Sequence, residues 1–318
     1  MLIDSIHGHA PISNKMLHLI QNWYKSIIVS GLTPAHLDHR RIWRDFDYCY
    51  PVISRRCKGL SLGVNLNFNK ACNFNCVYCE VDRISPPKRS HVDLDQLRDE
   101  MRILLNLSTS GELFGMHPFS AAKSEQQRLN DMAFSGDGEP TASPEFPEAA
   151  GRLAELKKEF HLADVKLILI TNATRLQNAD VVGGIDTLMA NNGEVWAKLD
   201  AGTQKYYQTI NRSGISLEQI IENLKFAGKR WPIIIQTLFL EWEGSAPSNQ
   251  EINSYIDNLK RLLDGGIQLA GLQLHTVARP TPEAMAKPLP PVILNQIANS
   301  ITNELPDISL DVFYGPVA

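Results

Sequence analysis

Cysteine is scarce in this chain: five among 318 residues, three of them within one eight-residue stretch. A spread of thiols that could pair is missing, so a reducing compartment, the cytoplasm, is expected. Long apolar runs are missing too. Ile233–Ile235 and Leu238–Leu240 fall far short of the roughly 20 residues of a membrane helix, which argues against membrane association. The opening MLIDSIHGHAPISNK has no basic region followed by an apolar core, so no secretory signal is expected. Charge of one sign is also lacking. Lys and Arg total 31 against 35 Asp and Glu, a net −4, which leaves no global field to attract nucleic acid. What remains is an ordinary globular composition, 43% hydrophobic and 21% charged, long enough for one large α/β domain or two modest ones.

The clustered thiols are Cys72, Cys76 and Cys79 in CNFNCVYC. Thiolates this close repel one another unless a metal neutralises them. Three ligands suit a cubane iron–sulfur cluster with one iron left open to an exogenous molecule. Zinc is the alternative, with Cys57 or His91 as fourth ligand, and a Cys76–Cys79 redox pair is another that leaves Cys72 unused. Cys49 and Cys57 read either as buried apolar residues or as ligands of a second cluster, for which two thiols are too few. Arg55, Arg56 and Lys58 form a short basic patch, either a grip for an anionic substrate or a solvated turn. His7, His9, His36 and His39 show no ligand spacing.

Residues 13–29 have helical periodicity, and 48–60 read as an irregular lead-in. From residue 61 strands and helices alternate. Strands are expected at 61–67, 130–136, 165–172, 194–201, 231–240 and within 267–278. Helices are expected at 92–107, about 144–160, 178–190, 216–228 and 249–266. The strands are apolar runs typical of parallel strands covered on both sides. Residues 108–130 read as a polar excursion, and 280–291, with five prolines in twelve residues, as extended chain before a helix at 292–302 and a last strand. The fold expected is α/β, a partial (β/α)6 TIM-like barrel at 60–279, with an N-terminal helical extension at 1–59 and a C-terminal extension at 280–318.

Ligands of parallel α/β folds bind at strand carboxyl ends. There lie the three cysteines, then Ser135-Gly136-Asp137-Gly138-Glu139-Pro140, then Thr171 and Asn172. Lys198 and Asp200 share a face with Trp196, and Gln273, His275 and Arg279 point one way. Singly, each has a bland reading: GDGEP as a turn, Lys198 with Asp200 as an ion pair, His275 as a core histidine.

CNFNCVYC followed some sixty residues later by GDGEP resembles the radical S-adenosylmethionine superfamily. SRRCKGLSLGVN and WAKLDAGTQKYYQTINR are similar to its group of iron–sulfur oxidoreductases related to wyosine-base (tRNA) synthases. The resemblance implies that Cys72, Cys76 and Cys79 bind a single 4Fe–4S cluster, and that S-adenosylmethionine takes the open iron. The cluster then reductively cleaves that cofactor to a 5′-deoxyadenosyl radical. It implies cofactor contacts from Tyr78, Gly136, Asp137, Gly138, Glu139 and Asn172, and places Lys198 and Asp200 where the family contacts ribose and carboxylate; Lys198, Asp200 and, from its strand face, His275 are the candidate catalytic residues. The partners implied are an external one-electron donor, flavodoxin- or ferredoxin-like, and a small-molecule or peptide substrate. The alternatives are tRNA, with Lys198 holding a carbonyl compound as an imine, and a non-catalytic electron carrier or sensor. Residues 108–130, the N-terminal helix and 280–291 are the candidate lids.

Overall fold

The computed structural model describes residues 43–82 and 91–316; the helix expected at 13–29 and His7, His9, His36 and His39 lie outside them. Strands β1 (Cys49–Ser54), β2 (Gly59–Val64), β3 (Leu129–Phe134), β4 (Lys166–Thr171), β5 (Gly193–Lys198), β6 (Ile233–Leu238), β8 (Leu269–His275) and β10 (Leu310–Phe313) form one sheet in that spatial order. From β2 onward every neighbouring pair is parallel. The sheet curls into a partial barrel. The helices that connect or flank its strands are α1 (Leu94–Thr109), α2 (Phe146–Glu159), α3 (Ala179–Met189), α4 (Gln204–Ile210), α5 (Leu217–Arg230), α6 (Asn249–Asp264) and α7 (Pro291–Glu304).

The six expected strands are present, and two more join them. The lead-in at 48–60 is the β1–β2 hairpin, antiparallel, with Cys49 opposite Val64 and Ser54 opposite Gly59. A strand containing Pro51 is tolerated here because β1 is an edge strand. The carboxylate of Glu100, on α1, accepts the N–H groups of Asp47, Tyr48 and Cys49 and so fixes where β1 begins. β10 pairs in parallel with β8 and makes the opposite edge. Segments expected to flank the barrel therefore supply both its edge strands.

Helix starts follow local chemistry. Asp93 caps α1, Thr203 caps α4, Ser216 caps α5 and Ser248 caps α6, each accepting a backbone N–H from the first turn. Most of the apolar core lies between the sheet's outer face and these helices, as in Leu62, Phe134, Leu169, Val195 and Ile235. The inner face carries a small apolar cluster, Ala133, Ile168 and Trp196. Its other positions are mixed, with Ser61, Asp131, Lys198, Gln236 and His275 beside Val52, Ile170 and Leu238, and they line a cavity.

Residues 108–130 form three short 3-10 turns between α1 and β3, so they lie at the strand amino ends and cannot cover the mouth. The proline-rich 280–291 stretch does lie at the mouth. Within it β9 (Ala286–Pro288) pairs with β7 (Leu240–Trp242), and the ribbon packs through Leu240 and Ala286 on Val77 and Tyr78. Among the described residues, no helix is long and apolar enough to cross a membrane.

Candidate active site

The cysteine loop leaves the carboxyl end of β2 and is interlocked with the Ser135–Pro140 loop that leaves β3. Asn65 Oδ1 accepts the N–H groups of Asn67 and Asp137 at 3.0 and 3.2 Å, and its amide donates to Asp137 Oδ2 at 2.8 Å. Asn67 donates to the Glu139 carbonyl at 3.0 Å, while Glu139 N donates to the Ala71 carbonyl at 2.9 Å. This proximity explains the two glycines. A Cβ at Gly138 would lie 2.3 Å from the Ala71 oxygen, and Gly136 has φ +152 with Asn65 in the way of any side chain. On its other side the loop docks on the end of α4. Asn75 N and Val77 N donate to the carbonyls of Asn211 and Ile210, and Phe74 meets Tyr207 edge-on at 5.6 Å.

Two amides point at the sulfurs: Asn172 Nδ2 lies 3.6 Å from Cys72 Sγ and Asn211 Nδ2 3.5 Å from Cys76 Sγ. Burial pushes the Cys76 thiol up to about 11, with Asp200 adding to the effect and Lys198 and the Asn211 amide opposing it. Neither remaining cysteine belongs here. Cys49 is buried against α1 with its thiol toward the Leu97 carbonyl, on the outer side of the sheet. Cys57 sits in the β1–β2 turn at the amino end of β2, opposite the cysteine loop across a strand about 20 Å long. His91 is 87% exposed and faces Glu145 at 3.9 Å. The proposed fourth ligands of a zinc site, and the thiols for a second cluster, are thus placed elsewhere. Among the described residues no three His, Cys, Asp or Glu groups converge on one ion. Thiols that each take a different iron of a cluster need no such convergence.

Glu139 is buried and holds the ends of two loops together. Its Oε1 accepts from Thr141 N at 3.2 Å and from the hydroxyls of Thr141 and Thr171, both at 2.7 Å; its Oε2 accepts from Asn172 N at 2.6 Å. Burial raises its pKa and these donors pull it back. Tyr78 is also buried. Its hydroxyl donates to Asp200 and accepts from Lys198 Nζ at 3.2 Å, with that ammonium 4.9 Å from the ring centre. Asp200, expected among the catalytic groups, lies beneath Tyr78 rather than in the cavity wall. Besides Tyr78 it accepts from Asn211 Nδ2 and Leu238 N, both at 2.9 Å, so it is a brace. Asp137 likewise spends its carboxylate on Asn65.

Lys198 and His275 do line the cavity, with Cys72, Cys76 and Cys79 at its rim. Burial works against the Lys198 charge, but Asp200 and the Cys76 and Cys79 sulfurs outweigh it and keep its pKa above the ordinary value. Burial, together with Arg56 and Lys198, holds His275 well below the usual imidazole range, so it is neutral. Asn211 is the site residue that periodicity misses. Its only sequence signal is its place in WAKLDAGTQKYYQTINR.

Asp131, on the inner face of β3, has its pKa pushed up to about 6, chiefly by burial, against the Ser61 hydroxyl, the Cys57 thiol and Arg56. An unfolded Asp loses its proton near 3.8. Between those values folding takes up a proton, so stability is greatest below the lower value and falls as pH rises through the higher one. Asp131→Asn removes that titration. From about pH 5 to about pH 7.5 the variant should gain about 1–1.5 kcal/mol relative to the parent in urea unfolding. An unchanged difference between the two pH values would refute this.

The description "Radical SAM superfamily" belongs to the family model that matches residues 66–241, just over half of the chain. This chain belongs to the radical SAM superfamily. A protein of Brachyspira hyodysenteriae described as GTPase Obg is 24% identical over 246 residues, 75% of this chain and 31% of that protein. A UPF0026 protein of Synechocystis is 28% identical over 241 residues, 73% of this chain and 76% of that protein. The chain therefore spans less than a third of the first of these relatives. Streptococcus suis SuiB bound to S-adenosylmethionine superposes with a TM-score of 0.54 at 13% identity, covering 97% of this chain and 58% of that one, a likeness of fold.

Both cofactors of the radical SAM family, a 4Fe–4S cluster and S-adenosylmethionine, suit the residues present. None of the three loop cysteines is in a disulfide. All three face one cavity, two of them receive amide hydrogen bonds, and the glycine-bared backbone of Gly136 and Gly138 lies in the same wall. N–H donors to cysteine sulfur are among the features that set cluster potentials.

Proposed function

We propose that this chain is a radical S-adenosylmethionine enzyme that abstracts a hydrogen atom from a small molecule or peptide held in the barrel. The observation that carries this reading is that Cys72, Cys76, Cys79, Gly136, Gly138 and Glu139 line one cavity, together with Lys198 and His275. When bound, the cluster and S-adenosylmethionine supply a primary carbon radical able to break an unactivated C–H bond. Cys72, Cys76 and Cys79 hold three irons. Glu139 would accept the cofactor's ammonium at Oε2, which among the described residues receives one bond, from Asn172 N. Gly136 and Gly138 let the backbone approach it, Tyr78 walls the cavity, and Asn172 supports the Cys72 side. Lys198 and neutral His275 bind and orient the substrate further in. The β7/β9 ribbon limits access of water to the mouth. A flavodoxin- or ferredoxin-like protein supplies the electron.

The test is anaerobic reconstitution to about four irons per chain, followed by dithionite and S-adenosylmethionine. Release of 5′-deoxyadenosine is expected. A fully loaded protein that leaves the cofactor intact would sink the reading. Cleavage that accelerates only with tRNA would replace the small-molecule substrate by tRNA.

A further inference from the structure

Of the basic patch Arg55, Arg56 and Lys58, the structure separates two residues from the third. Lys58 is exposed at the hairpin turn, with φ +59. Arg55 and Arg56 turn into the barrel and line the cavity. Arg55 reaches from the β1 edge to the Tyr314 carbonyl just after β10, so it spans the seam where the barrel fails to close. Arg56 crosses the interior and lies over the Trp196 ring, 5.6 Å from its centre. Arg279 joins them at the mouth, held through Nε by Glu80 at 2.8 Å.

Both guanidiniums are half-buried, so they are only partly hydrated and an anionic partner is favoured. Among the described residues, neither Arg55 nor Arg56 is within ion-pair distance of a carboxylate. Arg55 has a single carbonyl acceptor, and Arg56 has the Trp196 face. The charged groups around them are Lys198 and, beyond ion-pair distance, the Asp131 and Glu80 carboxylates, while His275 is neutral. Mutual repulsion is visible in the acid–base balance. Burial lowers the pKa of both arginines, Arg55 to about 10, and Arg279 lowers each of them further.

We propose that Arg55 and Arg56, with Arg279, form the substrate's anion subsite at the barrel seam, and that the substrate is a small molecule bearing a carboxylate or phosphate group. This rests on the reading of the cavity as a radical enzyme's substrate chamber. The planar fork of Arg56, seated on Trp196, offers its edge N–H groups to two oxygens of one such group. Arg279, tied to Glu80 just after Cys79, links the subsite to the cysteine loop, while Arg56 reaches Trp196 on the inner face of β5.

The experiment is calorimetric titration of the cluster-loaded chain, with S-adenosylmethionine saturating, using acetate and inorganic phosphate as probes. Saturable binding of one of them is expected. Arg56→Gln should weaken it by about tenfold or more, with Arg56→Lys in between and Lys58→Gln unchanged. Preference for acetate assigns a carboxylate, and preference for phosphate assigns a phosphate. Arg279→Gln serves as the second variant should Arg56→Gln fail to fold, as judged by melting and iron content. Equal binding by the parent and the folded variants overturns the proposal, as does no saturable binding by the parent. Saturable binding that is seen without S-adenosylmethionine and lost in its presence also overturns it, because the arginines would then hold the cofactor. The titration involves no turnover, so anion binding without release of 5′-deoxyadenosine would sink the enzyme reading and leave the arginines as an anion site, while release without anion binding would sink the subsite alone.

Discussion

Cys76→Ala is expected to leave a folded chain with no cluster and no detectable cleavage of S-adenosylmethionine. The middle cysteine sits where the loop is best supported, between the Val77 bond to α4 and the Asn211 amide. Its side chain is partly buried against the core, and alanine removes only a small thiol there. The expected loss of stability is therefore modest, about 1 kcal/mol. The chemical loss is total. Two thiols cannot hold a cubane that already lacks a fourth protein ligand. Iron after reconstitution should fall from about four per chain to near zero, with release of 5′-deoxyadenosine lost alongside it. Cofactor cleavage that survives this substitution would falsify the assignment of the loop. The same change at Cys49 or Cys57 should leave iron content unaltered, because one thiol faces α1 and the other lies at the opposite end of β2.

Glu139→Gln carries the second largest effect, and here stability and binding fall together. Four protein donors converge on this carboxylate, three at Oε1 and one at Oε2. An amide of the same shape turns one acceptor into a donor, so one buried N–H or hydroxyl group loses its partner and faces an N–H instead. With bonds to a charged acceptor at stake, urea unfolding should show a loss of about 2–4 kcal/mol. The cofactor's ammonium also loses its counter-charge, and affinity for S-adenosylmethionine should fall by about tenfold or more. Equilibrium binding to the cluster-loaded variant separates the two losses. Undiminished affinity would show that Glu139 is structural alone and that another group receives the ammonium.

Much of this site is legible without coordinates. CNFNCVYC and GDGEP stand at successive strand carboxyl ends, and the alternation on β5 assigns Trp196 and Lys198 to the inner face, where they line the cavity. Roles are less legible. Asp200 follows Lys198 on the same face, yet it lies below Tyr78 and receives that hydroxyl, the Asn211 amide and the Leu238 N–H. Spacing places a carboxylate on a face. It does not say which donors will claim it.

The sequence alone determined the parallel α/β class, from apolar runs alternating with capped helices, and the resemblance carried by CNFNCVYC and GDGEP supplied the cofactor chemistry. The tertiary structure decided everything that depends on residues distant in the chain meeting. It made the lead-in at 48–60 an edge strand, through Glu100 and pairing with β2. It added β10 to the opposite edge, and it put the 108–130 excursion at the end of the barrel away from the chemistry. It also carried Arg55 and Arg56 from a hairpin turn into the cavity while leaving Lys58 outside. Adjacent residues with the same charge are equivalent in a sequence. The curl of the sheet, which brings the β1 edge round toward the end of β10, makes them different.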